Sequence, residues 1–344
     1  MITGSFTALI TPFIGGAVDF EGLERLVDFQ IKGGMTGILA VGTTGESPTL
    51  EWDEHIQVIE KVASKTKETC ICIAGTGSNN SKESLSATKH AAESGVNAVL
   101  LVDPYYNGPS SLEIRKEYIE PTAEAFPDLE IIPYIIPGRT GAQMFPEDLA
   151  ILSKNFPNVK TVKEATASLE NMRRTRACCG PDFSILSGDD GMTFQMMTDP
   201  DINASGVISV ISNIAPFAVS EMVRMHQEGD IGGAEALYNA LLPLFNLVTV
   251  KTKEATPMGE VDCRARNPLA IKTLMSVLGM PSGGCRRPMG KMTKNGIDVV
   301  IRVAKTVLET NPEILTPAAD FFGIDMEERL NNPAYLEALY YKEY

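Results

Sequence analysis

Phe6-Thr7-Ala8-Leu9-Ile10-Thr11-Pro12-Phe13 is the stretch that decides between the two parallel-sheet architectures open to this chain. Residues 6–11 read as a first strand, because a short, mostly apolar run stopped by a proline suits a strand covered on both faces. A doubly wound open sheet announces itself with a G-x-G-x-x-G turn after its first strand; here Thr11-Pro12-Phe13 follows instead. Further β-branched runs at 37–41, 70–74, 98–102, 130–134, 159–163, 183–186 and 206–210 predict seven more strands. Helical periodicity fills the gaps, at 20–32, 52–65, 82–93, 113–126 and 146–154. Eight βα units in series predict an α/β fold, a closed (β/α)8 TIM barrel. After Val210 the pattern is purely helical, over 216–226, 232–250, 268–278 and 293–309, with a short helix at 333–343. The expected organisation is therefore a barrel over 1–228 and a helical C-terminal region over 229–344. The latter carries an insertion near 251–266 and an extra tail from about 321.

Composition narrows the function classes. The chain has 344 residues, 44% of them hydrophobic, enough for a large core, and no linker or low-complexity tract divides it. Its net charge of −14 argues against nucleic acid or an anionic membrane as partner. The start lacks the basic and apolar regions of a secretory signal, and apolar runs stop short of the ~18 residues of a membrane span. A cytoplasmic enzyme is expected, although a trimmed plastid transit peptide would leave the same sequence. The six cysteines form no C-x-x-C pair, and Cys70 and Cys72 read as buried small hydrophobes on one strand face. The three histidines, His55, His90 and His226, lie far apart without metal-ligand spacing, so no metal and no cofactor is expected. That leaves lysine as the group able to activate a carbonyl.

In a parallel barrel, side chains at the carboxyl ends of the strands converge on one face. Strand six ends at Lys163, in Val159-Lys160-Thr161-Val162-Lys163-Glu164-Ala165. A desolvated lysine loses its proton more readily, and the free amine attacks carbonyls to form a Schiff base. On position alone a solvated lysine, like Lys160, is the commoner outcome. Its neighbours change the balance. Strand two exits into Gly42-Thr43-Thr44-Gly45-Glu46-Ser47, whose glycines and successive N–H groups suit a small carboxylate. Strand four exits into Asp103-Pro104-Tyr105-Tyr106-Asn107, and strand five into Tyr134-Ile135-Ile136-Pro137-Gly138-Arg139-Thr140. Strands seven and eight lead into Ser187-Gly188-Asp189-Asp190 and Val207-Ile208-Ser209. An amine, phenols, a hydroxyl, an anion cradle and a guanidinium on one rim are the inventory of a class I aldolase.

The segments Gly42 to Glu46, Tyr105-Tyr106-Asn107, Tyr134 to Thr140, Lys163-Glu164-Ala165 and Gly188-Asp189-Asp190 together resemble the dihydrodipicolinate synthase family. That family lies within the pyruvate-dependent lyases and synthases that include N-acetylneuraminate lyase. The resemblance runs in order from Ile2 to about Lys294. It implies an imine between Lys163 and pyruvate, and an enamine that attacks aspartate semialdehyde on the way to diaminopimelate and lysine. By the same resemblance Tyr134 is the acid/base, linked through Thr43 to Tyr106 from a neighbouring subunit. Thr43 and Thr44 cradle the pyruvate carboxylate, Arg139 holds the aldehyde's carboxylate, and Gly188 and Ile208 line the pocket. A homo-oligomer, tetramer or dimer, follows. Members inhibited by lysine bind it through positions matching Ser47, Pro48, Trp52, His55, Asn79, Glu83 and Tyr105.

The chain departs from the family at Ile135, where asparagine usually follows the tyrosine, at the 251–266 insertion and in the tail. Two other readings compete: a sialic acid or 2-keto-3-deoxy sugar acid aldolase of the same superfamily, and a catalytically dead paralogue. The first would have a different pair in the Thr43-Thr44 turn, and the second would have lost the lysine, tyrosines or arginine.

Overall fold

The computed structural model describes residues 1–344. Eight strands are β1 (Gly4–Ala8), β2 (Gly37–Ala40), β3 (Ile71–Gly75), β4 (Ala98–Val102), β5 (Glu130–Ile135), β6 (Thr161–Glu164), β7 (Ser184–Ser187) and β8 (Gly206–Ser209). They close into a barrel in the order β1-β8-β7-β6-β5-β4-β3-β2, with a helix after each strand, the expected (β/α)8 TIM barrel. The register pairs Tyr134 of β5 with Lys163 of β6, and Lys163 in turn with Leu186 of β7. Short apolar runs buried on both faces form these strands because every backbone polar group finds a neighbour in the ring.

Two differences from expectation have local causes. β1 ends at Ala8 because the next residues turn to a side chain: Asn213 Nδ2 donates to Ala8 O at 2.7 Å, and Ile10 N donates to Asn213 Oδ1 at 3.0 Å. Pro12, lacking an N–H, cannot resume the ladder. Cys70 precedes β3 and is half-buried, so only Cys72 sits fully in the core.

The chain forms two compact units. One comprises Met1–Phe6, Thr36–Gly42 and His55–Ser209, and holds β2 to β8 with the first three residues of β1. Its core is aliphatic, with Ile38, Val99, Leu101, Ile131 and Ile185 fully buried. The other comprises Thr7–Met35, Thr43–Glu54 and Val210–Tyr344. In it Phe29 packs within 5.1 Å, centroid to centroid, of both Phe321 and Phe322. The start of the tail, from Phe321 to the buried Met326 and Leu330, therefore packs onto this unit's core, while residues 331–344 are half-buried or exposed.

The second unit is not purely helical, which corrects the reading of 229–344. After the helix Ile231–Phe245, the strands β9 (Thr249–Thr256) and β10 (Gly259–Arg266) form an antiparallel hairpin, covering the segment read as an insertion. Val250-Lys251-Thr252-Lys253-Glu254 alternates with period two and is rich in β-branched residues, a strand signal that overrides the preceding helical pattern. The 333–343 segment holds only one 3-10 turn, Pro333–Tyr335, in place of the expected helix. One stretch, Ile231–Val248, is long and apolar enough to cross a membrane by composition, contrary to the sequence expectation. Pro243 interrupts it, and Ala234, Leu241, Leu244 and Phe245 are buried inside the protein.

Candidate active site

Lys163 stands on β6, where alternate side chains face opposite sides of the barrel wall. Its neighbour Glu164 is tied to the outer layer, accepting from Thr166 N at 2.7 Å and from Asn171 Nδ2 at 3.0 Å. Lys163 is 5% exposed, with its Nζ 4.2 Å from the centre of the Tyr134 ring. No carboxylate pairs with it. Burial lowers its pKa to about 7; Asp190, itself buried, opposes the shift, and the Arg139 guanidinium adds to it. Gly188 makes room for the lysine stem, since a Cβ there would meet Lys163 Cε at 3.1 Å and Ala165 Cβ at 2.9 Å. An amine in this setting is un-ionised for much of the time near neutral pH, which is the state a nucleophile needs.

The other expected residues of this unit occupy strand ends around the same ring. Tyr134 is buried on β5, Ile208 is buried on β8, and Arg139 is half-buried in the single turn Pro137–Thr140 that follows β5. Tyr106, after β4, is 94% exposed and holds φ 78°, a left-handed conformation that costs a tyrosine roughly 1–2 kcal/mol. Such strain persists only where the surroundings impose it. Of the residues expected to bind lysine, Asn79 Oδ1 accepts from Tyr105 N at 2.7 Å, and Glu83 accepts from Ser78 Oγ at 2.7 Å. His55 is buried, which lowers its pKa to about 4 and keeps it neutral.

Sequence reading passed over two acids beneath this rim. Asp103 is fully buried, with Oδ2 accepting from Met144 N at 3.0 Å and Oδ1 without a partner. Burial raises its pKa to about 8, against the Met144 bond and with help from Glu164. Glu164 is likewise raised by burial. Both lay inside quoted motifs, yet nothing local distinguishes a buried carboxyl from a solvated one.

Thr43, Thr44, Ser47 and Trp52 belong to the second unit, where Thr44 is buried and accepts from Asn267 Nδ2 at 2.9 Å. Glu46, buried with φ 59°, receives Lys272 Nζ at 2.6 Å and Arg286 N at 2.8 Å. The same ammonium donates to Thr11 O at 2.9 Å and Gly284 O at 3.0 Å, so all three protons are used. Asn267, Lys272 and Arg286 thus clamp the Thr43–Glu46 turn, and none was singled out from the sequence as acting on it. Their partners lie more than 220 residues away, so no spacing pattern could reveal them.

Comparison with known proteins identifies the family of the chain. The model of the "Dihydrodipicolinate synthetase family" matches residues 1–307. The curated 4-hydroxy-tetrahydrodipicolinate synthase of Syntrophus aciditrophicus is 38% identical over 88% of this chain and 97% of the relative. The solved 4-hydroxy-tetrahydrodipicolinate synthase of Methylacidiphilum fumariolicum SolV superposes with a TM-score of 0.82 at 34% identity, over 94% of this chain and all of that one (100%). The synthase of Cyanidioschyzon merolae, solved with lysine bound, gives a TM-score of 0.80 at 32% identity, over 89% and 98% of the two chains.

Proposed function

The chain belongs to the dihydrodipicolinate synthetase family, and from that premise we propose how it condenses pyruvate with L-aspartate 4-semialdehyde into 4-hydroxy-tetrahydrodipicolinate, on the route to diaminopimelate and lysine. Lys163 attacks the keto carbon of pyruvate, and the carbinolamine loses water to give a protonated imine. The cationic nitrogen draws electrons from the neighbouring methyl, which yields a proton and becomes an enamine. The enamine carbon adds to the aldehyde of the second substrate. That substrate's own amine then displaces Lys163, closing the ring and freeing the enzyme.

Tyr134 serves as the proton carrier for these steps, with Thr43 and Tyr106 relaying protons to and from it. The backbone of Thr43 and Thr44 holds the pyruvate carboxylate, Arg139 takes the carboxylate of the aldehyde with its forked guanidinium, and Gly188 and Ile208 bound the pocket. The observation that carries this reading is the Lys163 amine: buried, unpaired with any acid, lowered to about 7, and lying over the Tyr134 ring. Incubation with pyruvate and borohydride adds a pyruvate-derived mass at Lys163, and Lys163→Ala abolishes it. Labelling of another lysine overturns the assignment. Turnover of pyruvate with aspartate semialdehyde, but not of N-acetylneuraminate, separates this reaction from those of sister lyases.

The reading extends to assembly and control. A solvent-facing, strained Tyr106 suits a residue completed by a second copy, so the working enzyme is a cytoplasmic homo-oligomer, a tetramer or dimer. Light scattering of the purified chain tests this, and a monomer with full activity removes the relay role of Tyr106. Free lysine inhibits saturably through Ser47, Trp52, His55, Asn79, Glu83 and Tyr105. A rate unchanged by millimolar lysine rejects that site.

A further inference from the structure

The hairpin and the tail of the second unit enclose a cavity of about 560 Å³, within the size range of small-molecule sites. The hairpin presents Val250 and Ala265, the approach to the helix Lys294–Thr310 presents Met292, and the far wall is made by residues 341–344. That wall lies beyond the 1–307 match to the family model, while the rest of the lining, from Val250 to Gly296, lies within it. It is anchored: Met292 N donates to Leu339 O at 3.2 Å, and Tyr341 N donates to Met292 O at 2.9 Å.

The charges around the cavity differ in whether they are already used. Glu254, 8% exposed, has both oxygens occupied, one by Thr252 Oγ1 at 2.6 Å and one by Asn295 Nδ2 at 2.9 Å. Lys294 is held by Asp298. Arg264, Lys291 and Lys342 line the cavity, are exposed, and make no ion pair or side-chain hydrogen bond. Three unpaired cations, with Glu343 the one unpaired acid side chain in the lining, around one largely apolar hollow suit an anion that brings its own apolar body. An aliphatic floor of Val250, Ala265 and Met292, with Tyr341 beside it, suits a ring.

We propose that this cavity binds a small organic anion, an aromatic or alicyclic carboxylate or its sulfonate equivalent. Its acid group meets Arg264, Lys291 and Lys342, and its ring lies against Val250, Ala265, Met292 and Tyr341. The proposal stands apart from the reaction at Lys163 and uses none of its residues.

The probe is anilinonaphthalene sulfonate, whose fluorescence rises in apolar surroundings. The native enzyme is expected to show one saturable site that saturating pyruvate does not displace. Arg264→Glu combined with Lys291→Glu, both exposed positions, weakens it by about tenfold or more, equivalent to ~1.4 kcal/mol. Ala265→Trp, which fills the hollow, does the same, while thermal melting and pyruvate trapping at Lys163 stay native in the charge-reversal variant. Absence of saturable binding, displacement by pyruvate, or undiminished binding in the folded charge-reversal variant overturns the proposal.

Discussion

Lys163 in the barrel unit and Lys272 in the second unit are both buried amines, 5% and 1% exposed, yet their surroundings make them opposites. Lys272 gives its three protons to Glu46, Thr11 O and Gly284 O, and lies 4.2 Å from the Phe13 ring. Burial leaves its pKa below the ordinary lysine value, but Glu46 opposes the shift and holds the ammonium by hydrogen bond and charge. Lys163 has the aromatic ring but no hydrogen-bonded acid, so burial outweighs the opposing charge of Asp190. The comparison teaches that burial alone does not make a lysine reactive. Burial without a hydrogen-bonded counter-ion does, because only then is the neutral amine the cheaper state.

The strongest way to break the contrast is to exchange the roles. Lys163→Ala is expected to lower the condensation rate by at least about a thousandfold while leaving the fold intact, as loss of a covalent nucleophile should. Lys272→Met should leave pyruvate trapping at Lys163 detectable; equal loss of trapping in both variants would erase the distinction.

Stability is expected to rank the other way. Glu46→Ala strands a buried ammonium and should cost about 3–5 kcal/mol in denaturant unfolding. Lys272→Met combined with Glu46→Leu should recover much of that loss. A cost near zero for Glu46→Ala would mean that the pair is solvated in solution.

The two amines also predict different pH behaviour. With its folded pKa near 7 against an ordinary 10.5, Lys163 binds fewer protons in the folded than in the unfolded chain between those values. Its destabilising effect is therefore complete below pH 7 and is relieved as pH rises toward the unfolded value. The stability gained by Lys163→Met should therefore be largest below pH 7 and shrink across that window, and the trapping rate should rise with a midpoint near 7. A midpoint near 10 would place the amine in water.

Smaller effects sharpen the picture. Asn267→Ala removes the donor to Thr44 Oγ1 and should raise the pyruvate KM more than it lowers kcat, by roughly tenfold for a bond worth 1–2 kcal/mol. Loss of stability with unchanged KM would make Asn267 purely structural. Arg224→Ala, on an exposed Glu221–Arg224–Glu228 cluster, should shift stability by no more than about 1 kcal/mol.

Legibility tracked the range of the interactions involved. β4 was readable to the residue because Ala98-Val99-Leu100-Leu101-Val102 carries its burial in its own composition. The hairpin was missed since an apolar helix runs into it, and periodicity is blind to where one period yields to another. Tyr134, Lys163 and Arg139 could be named because each ends or follows a strand, and strand ends share a rim in any parallel barrel. Asp103, Asn267 and Lys272 could not, because what sets them apart is the neighbour each lacks or finds across the fold.

The order of strands and helices, and with it which residues stand at the barrel's rim, was determined by the sequence alone, through short-range patterns of apolar residues. Which buried amine gives up its proton near neutral pH and which is held by a hydrogen-bonded acid was decided only by the tertiary structure. Desolvation and pairing depend on atoms that lie tens to hundreds of residues away along the chain and meet only after folding.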